Sequence, residues 1–216
     1  MLRHIFILTL FISSVLLPGM GEARVIEEHI YLVPAGDVDA KVLEYIKGRL
    51  PEALPMTLRV TIETRKELPP DAYYASRKGY DASAVLDGIW RLVTIDVRNE
   101  RVLVVTGADL YTPEADHISG LADGKRGICI ISLARLGDGS RGPGPDDKLF
   151  PERAFKEALY VIGRSLGLAD CSDPKCVMSS SAGAPDTGKK KDRFCHDCRR
   201  SLRRNYDDPL FKSLSI

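Results

Sequence analysis

The chain has 216 residues, 44% apolar and 28% charged, which suits one globular domain and excludes a disordered or fibrous chain. Lys and Arg number 31 against 30 Asp and Glu, and this net charge of +1 gives no sign of a polyanionic partner for the chain as a whole.

At the N-terminus, Arg3 precedes an uncharged run from Ile5 to Leu17, and Gly21-Glu22-Ala23 sets small residues at the two positions that determine cleavage. This is a secretory signal pattern over residues 1–23. The run of 13 residues is short of the roughly 20 a helix needs to span a bilayer. The expectation is an exported protein, periplasmic or secreted, that starts near Arg24 and keeps no stable membrane anchor after cleavage.

From Glu28 the chain reads as a short apolar strand, a Pro34-Ala35-Gly36 turn, and a helix with Val38, Val42, Leu43, Ile46 and Leu50 at helical spacing. Leu58, Val60 and Ile62 then alternate with polar residues and predict a half-buried strand, which Leu68-Pro69-Pro70 breaks. A loop leads to a helix through Ser83, Val85, Leu86, Ile89 and Trp90. Two strands are expected around Arg98-Asn99-Glu100, one over Thr94–Val97 and one over Val102–Thr106. GICIISLARL supplies another strand, with Cys129 between apolar neighbours as a buried, inert thiol. GDGSRGPGPDDK, with four glycines and two prolines, is a surface connection. The order β-α-β-α-β-β-β points to an α+β fold with a mixed sheet.

The clearest helix follows. Phe155, Ala158, Leu159, Ile162 and Leu166 recur at helical spacing, Glu152 lies near its start and Gly167 is placed to end it. Its other face carries Glu157, Tyr160 and Arg164, neighbours at three- and four-residue spacing.

Four of the five cysteines come after that helix, Cys171 and Cys176 in CSDPKC, then Cys195 and Cys198 in CHDC. Two close pairs on separate turns can converge four thiolates on one structural zinc ion. An oxidising compartment allows disulfides instead, in three connectivities, although pairing within either pair would close very small loops and add little chain-entropy stabilisation. Cys-x-x-Cys also has redox-active spacing, but without a thioredoxin-like βαβ context. Around the second pair, KKKDRFCHDCRRSLRR has eight basic residues and two acidic ones. A zinc-ribbon-like nucleic-acid binder has this composition; the simpler reading is solvated cations offsetting a tetrathiolate, and with export it leaves no nucleic-acid partner expected.

Gly167, the unit CSDPKCVM and the later Cys-x-x-Cys resemble the archaemetzincin family of zinc metallopeptidases, whose pattern is like H-E-x-x-H-x-x-G-x-x-H-C-x4-C-x-M followed by C-x-x-C. IYLVPAGDVD, RVLVVTGADLY, ISLARL and ERAFKEAL are similar to the family as well, so the likeness covers most of the mature chain. The resemblance implies a metzincin-like, or zincin-like, mixed sheet in a single domain over 24–216. Residues 24–150 would hold the sheet, and 151–216 the active-site-type helix, a Met-turn at Met178 and the cysteine segment.

Carried over residue by residue, the family's three zinc-binding imidazoles fall on Tyr160, Arg164 and Asp170, and its general-base glutamate on Val161. None is retained. Arginine stays protonated and cannot bind the metal, and valine cannot take a proton from water. His4, His29, His117 and His196 are the only histidines, and none lies in this stretch. The resemblance therefore implies a pseudopeptidase in which Arg164 fills the vacated metal position and pairs with Asp170 and Glu157. It would capture an extended peptide or protein along the strand Ile128, Cys129, Ile130, Ile131 and Ser132. The alternatives are a hydrolase with a rebuilt metal site on Glu157, Tyr160 and Asp170, and a disulfide or redox module.

Overall fold

The computed structural model describes residues 27–137, 147–180 and 184–207. The expected signal segment at 1–23 and most of the Gly/Pro-rich connection lie outside the described residues.

Strand β1 (Glu28–Ala35) leads into helix α1 (Ala40–Ala53), whose N-terminus is capped by Asp39 accepting from Lys41 N. Strand β2 (Leu58–Ile62) follows, then helix α2 (Ala82–Trp90), capped by the Asp81 carboxylate accepting from Ser83 N and Ala84 N. Strand β5 (Glu100–Thr106) and strand β9 (Ile128–Ser132) complete a parallel set in the order β2-β1-β5-β9. Strand β8 (Gly120–Asp123) pairs antiparallel with β9 and closes this five-stranded sheet at one edge.

Both faces of the sheet are covered, which is why β5 and β9 read as almost unbroken apolar runs. On one face Ile30, Leu32, Leu103, Val105, Cys129 and Ile131 pack against α1 and helix α3 (Phe150–Ser165). On the other, Val33, Val102, Val104, Ile128 and Ile130 pack against Val85, Leu86 and Ile89 of α2. Cys129 is fully buried, and burial pushes its thiol up to about 12, as its inert role requires.

Three expectations are corrected. Thr94–Val97 is not a strand: Asp96 accepts from the backbone and guanidinium of Arg98 while Asp96 N donates to Glu100, so local side-chain bonds hold a turn. A second, smaller sheet in the order β3-β4-β6-β7 is formed by Tyr73–Tyr74 and Gly79–Asp81, in the stretch read as loop, and by Leu110–Thr112 and Ala115–Ile118, for which no element was expected. The third concerns Ile128, Cys129, Ile130, Ile131 and Ser132. They form β9, hydrogen-bonded to β5 on one side and β8 on the other and buried throughout, so no free edge remains there to receive a peptide. The free edge belongs to β8, which among the described residues pairs only with β9.

Candidate metal centre and the adjoining cleft

Helix α3 lies across the sheet with Phe155, Ala158, Leu159 and Ile162 in the core. Gly167 ends it in a left-handed conformation, φ +83°, while Gly167 N bonds Arg164 O and Leu168 N bonds Gly163 O. This reversal brings the chain back past the helix, so that Asp170 faces Tyr160 and Cys171 starts the cysteine segment.

Backbone hydrogen bonds hold that segment together before any metal is considered. Cys171 N donates to Met178 O, Val177 N to Arg193 O, and Lys191 N to Lys175 O, tying residues 175–177 beside 191–193. The four Sγ atoms of Cys171, Cys176, Cys195 and Cys198 consequently lie within 4.8 Å of one another. A tetrahedral zinc site with Zn–S bonds of about 2.3 Å has sulfur–sulfur edges of about 3.8 Å, and Cys171 Sγ to Cys195 Sγ is 3.8 Å. Cys195 N also donates to Cys176 Sγ at 3.2 Å, the kind of backbone support that favours a thiolate. Burial is the strongest influence on Cys195 and would raise it, yet hydrogen bonds from the Cys198 backbone and the neighbouring thiols outweigh it and lower its pKa. Cys198 is raised, by burial first and then by its crowded neighbours. All five cysteines are free, and the set fits one zinc ion rather than disulfides. The helix α5 (His196–Asp207) starts at this centre, and His196 on it is exposed beside Asp197.

Met178 is fully buried beneath α3. Gly163 makes that approach feasible, because a Cβ there would lie 2.5 Å from Met178 Sδ and 3.1 Å from Phe194.

The four positions implied by the resemblance form a connected polar set beside an apolar plug. Tyr160 donates its hydroxyl to Asp170 Oδ1 at 2.8 Å. Arg164 Nη1 donates to Leu168 O at 3.2 Å and lies 3.7 Å from the same Asp170 oxygen, with both side chains about half exposed. Burial, then the bond to Asp170, pushes Tyr160 up to about 12. Val161 is 1% exposed and presses on β8, where a Cβ on Gly120 would meet Val161 Cγ1 at 2.6 Å and Ile130 O at 2.9 Å.

The sequence pattern of peptidase family M54 matches residues 35–204. The chain belongs to peptidase family M54. It is 34% identical over 177 residues to the archaemetzincin of Pyrococcus furiosus, covering 80% of this chain and 91% of that one. Among solved structures, the archaemetzincin of Methanopyrus kandleri superposes with a TM-score of 0.74 at 31% identity, over 86% of this chain and 98% of the other. A zinc-dependent peptidase from Methanocorpusculum labreanum gives a TM-score of 0.71 at 28% identity, over 80% and 99%.

In this M54 chain one expected partnership is replaced. Glu157 does not meet Arg164, nor does it join Tyr160 and Asp170 as a rebuilt metal site. It accepts from Thr187 Oγ1 at 2.9 Å and lies 3.6 Å from Lys190 Nζ, with both charged side chains almost fully buried. Lys190 also donates to Val177 O and sits 4.8 Å from the centre of the Tyr160 ring. Thr187 belongs to helix α4 (Ala184–Lys189), so this pair clamps the segment after the Met178 turn onto α3. Sequence reasoning missed Lys190 because it sits in a basic run that read as solvated.

Proposed function

We propose that this M54 protein is an exported, non-catalytic relative of the archaemetzincins that binds an extended peptide or protein segment. The observation that carries the reading is the mutual satisfaction of Tyr160, Arg164 and Asp170 by hydrogen bonding and charge, with Val161 packed as an apolar plug on Gly120. The family pattern sets three imidazoles to hold zinc and a carboxylate to take the proton of its water; these four side chains supply no imidazole, and their one carboxylate, Asp170, is held by Tyr160 and Arg164. Zinc serves here at Cys171, Cys176, Cys195 and Cys198, where it fixes the C-terminal segment against α3.

The binding surface is the outer edge of β8. Backbone groups there are open to an added strand, which gives affinity through main-chain hydrogen bonds without a metal. Gly120 at the start of that strand lies directly over Val161, so the edge runs along the cleft that α3 floors.

The test uses protein beginning at Arg24, purified without added metal. Elemental analysis should give one zinc per chain, and unfolded carboxymethylated casein should raise the anisotropy of the labelled protein without being cleaved. Casein cleavage that stops on chelation and returns with zinc would overturn the reading. Export is tested separately by N-terminal sequencing of the protein recovered from an expressing host.

A further inference from the structure

Residues 189–204 carry eight basic side chains and two acidic ones, whereas the whole chain is at +1, so the rest of the molecule is net acidic. Lys190 is used internally by Glu157. The other seven cations are exposed. Both acids in the stretch are already engaged, Asp192 by Arg49 of α1 and Asp197 by Arg200. Lys191, Arg193, Arg199 and Arg203 therefore have no acidic partner among the described residues.

Helix α5 concentrates this charge on one arc. Cys198 faces the metal centre, Leu202 is buried, and Asn205 donates to Leu166 O, which sets the inward side. At about 100° per residue the opposite arc falls on Arg199, Arg200, Arg203 and Arg204, and all four are exposed. Arg199 with Arg203, and Arg200 with Arg204, are like charges four residues apart, an arrangement that weakens a helix. Arg200 is paired with Asp197, and Arg204 lines the same cavity as Cys171 and Cys198. Arg199 and Arg203 are the guanidinium groups of this face that no acidic side chain among the described residues neutralises. Guanidinium forks grip phosphate oxygens two at a time, which ammonium groups do not.

We propose that the outer face of α5 is a peripheral docking surface for the phosphate headgroups of an anionic phospholipid bilayer. An exported protein meets phospholipid rather than nucleic acid, so the choice of a bilayer rests on the export proposed above. The arc also presents no free amide for reading base edges, since Asn205 is turned inward. With no apolar side chain on the arc, contact is electrostatic and does not penetrate the acyl layer. This surface is independent of the cleft and of whether the protein cleaves peptides.

The experiment is co-sedimentation of zinc-loaded protein beginning at Arg24 with vesicles of phosphatidylcholine alone or mixed with phosphatidylglycerol. Binding should appear only with phosphatidylglycerol and fall with added salt. Replacing Arg199→Gln and Arg203→Gln should weaken it about fivefold per arginine, with zinc content and circular dichroism unchanged. Arg65→Gln, which removes an exposed arginine already paired with Glu67, should leave binding as it was. Equal binding to both vesicle types, no loss in the double variant, or preferential binding of an oligonucleotide over phosphatidylglycerol vesicles would each overturn the proposal.

Discussion

Tyr160 donates its hydroxyl to Asp170 across the turn that ends α3, at 2.8 Å. Burial and this bond hold the phenol neutral to about 12, against 10.0 for a free tyrosine. A pKa raised in the folded state contributes stability that is complete below the unfolded value and disappears as pH rises through the folded one. Tyr160→Phe should cost about 0.5–1.5 kcal/mol at neutral pH. The gap between wild type and variant should then shrink between pH 10 and 12. Cys129 titrates in the same direction in both proteins and cancels from the difference. Urea unfolding of both at stepped pH makes the comparison, and a gap that stays constant to pH 12 contradicts the burial of this hydroxyl.

Glu157 and Lys190 form an ion pair that is almost fully buried and further fixed by Thr187. Removing one member strands a charge in the interior, which costs about 3–5 kcal/mol, whereas exchanging both for apolar groups of similar size is close to neutral. Lys190→Met and Glu157→Leu should each be strongly destabilising, and the double variant should recover most of the loss. A double-mutant cycle from chemical denaturation reads the coupling. Additive effects would mean that the pair does not clamp α4 to α3.

The cysteine site joins the turn after α3 to the start of α5. Cys176→Ser should lose the zinc and expose residues 167–207 to proteolysis, while the main sheet, whose core lies on both its faces, stays folded. Limited trypsin digestion with mass spectrometry distinguishes the two regions. Cutting first within β1 or β5 would show that the zinc site supports the whole domain.

What could be read from the sequence was what short spacing encodes. Helix α3, its Gly167 terminus, the buried Cys129 and the four cysteines follow from patterns only a few residues long, and so they were legible. The edge of the sheet was not. β8 reads Gly-Leu-Ala-Asp, too short and too poor in β-branched residues to signal a strand, and only strand order, a property of the assembled sheet, decides that Gly120–Asp123 is outermost and Ile128–Ser132 enclosed. The Glu157–Lys190 pair spans 33 positions and leaves no periodic trace. Arg164 met Asp170 as its charge predicted, but the deeper cation at the cleft was Lys190, because a lysine in a basic run carries no mark of being the buried one.

If the cleft differs from the archaemetzincins through its side chains alone, restoring them should restore the metal. Gly167 and Met178 are already placed as the family pattern requires. The variant Tyr160→His, Val161→Glu, Arg164→His and Asp170→His should therefore hold a second zinc and hydrolyse casein in a chelator-sensitive way. The same variant without Val161→Glu should hold that zinc and hydrolyse far more slowly, by about 100-fold or more, for want of a group to take the proton from water. A quadruple variant that folds, keeps the cysteine-bound zinc and takes up no second ion would place the divergence in the backbone that presents these side chains.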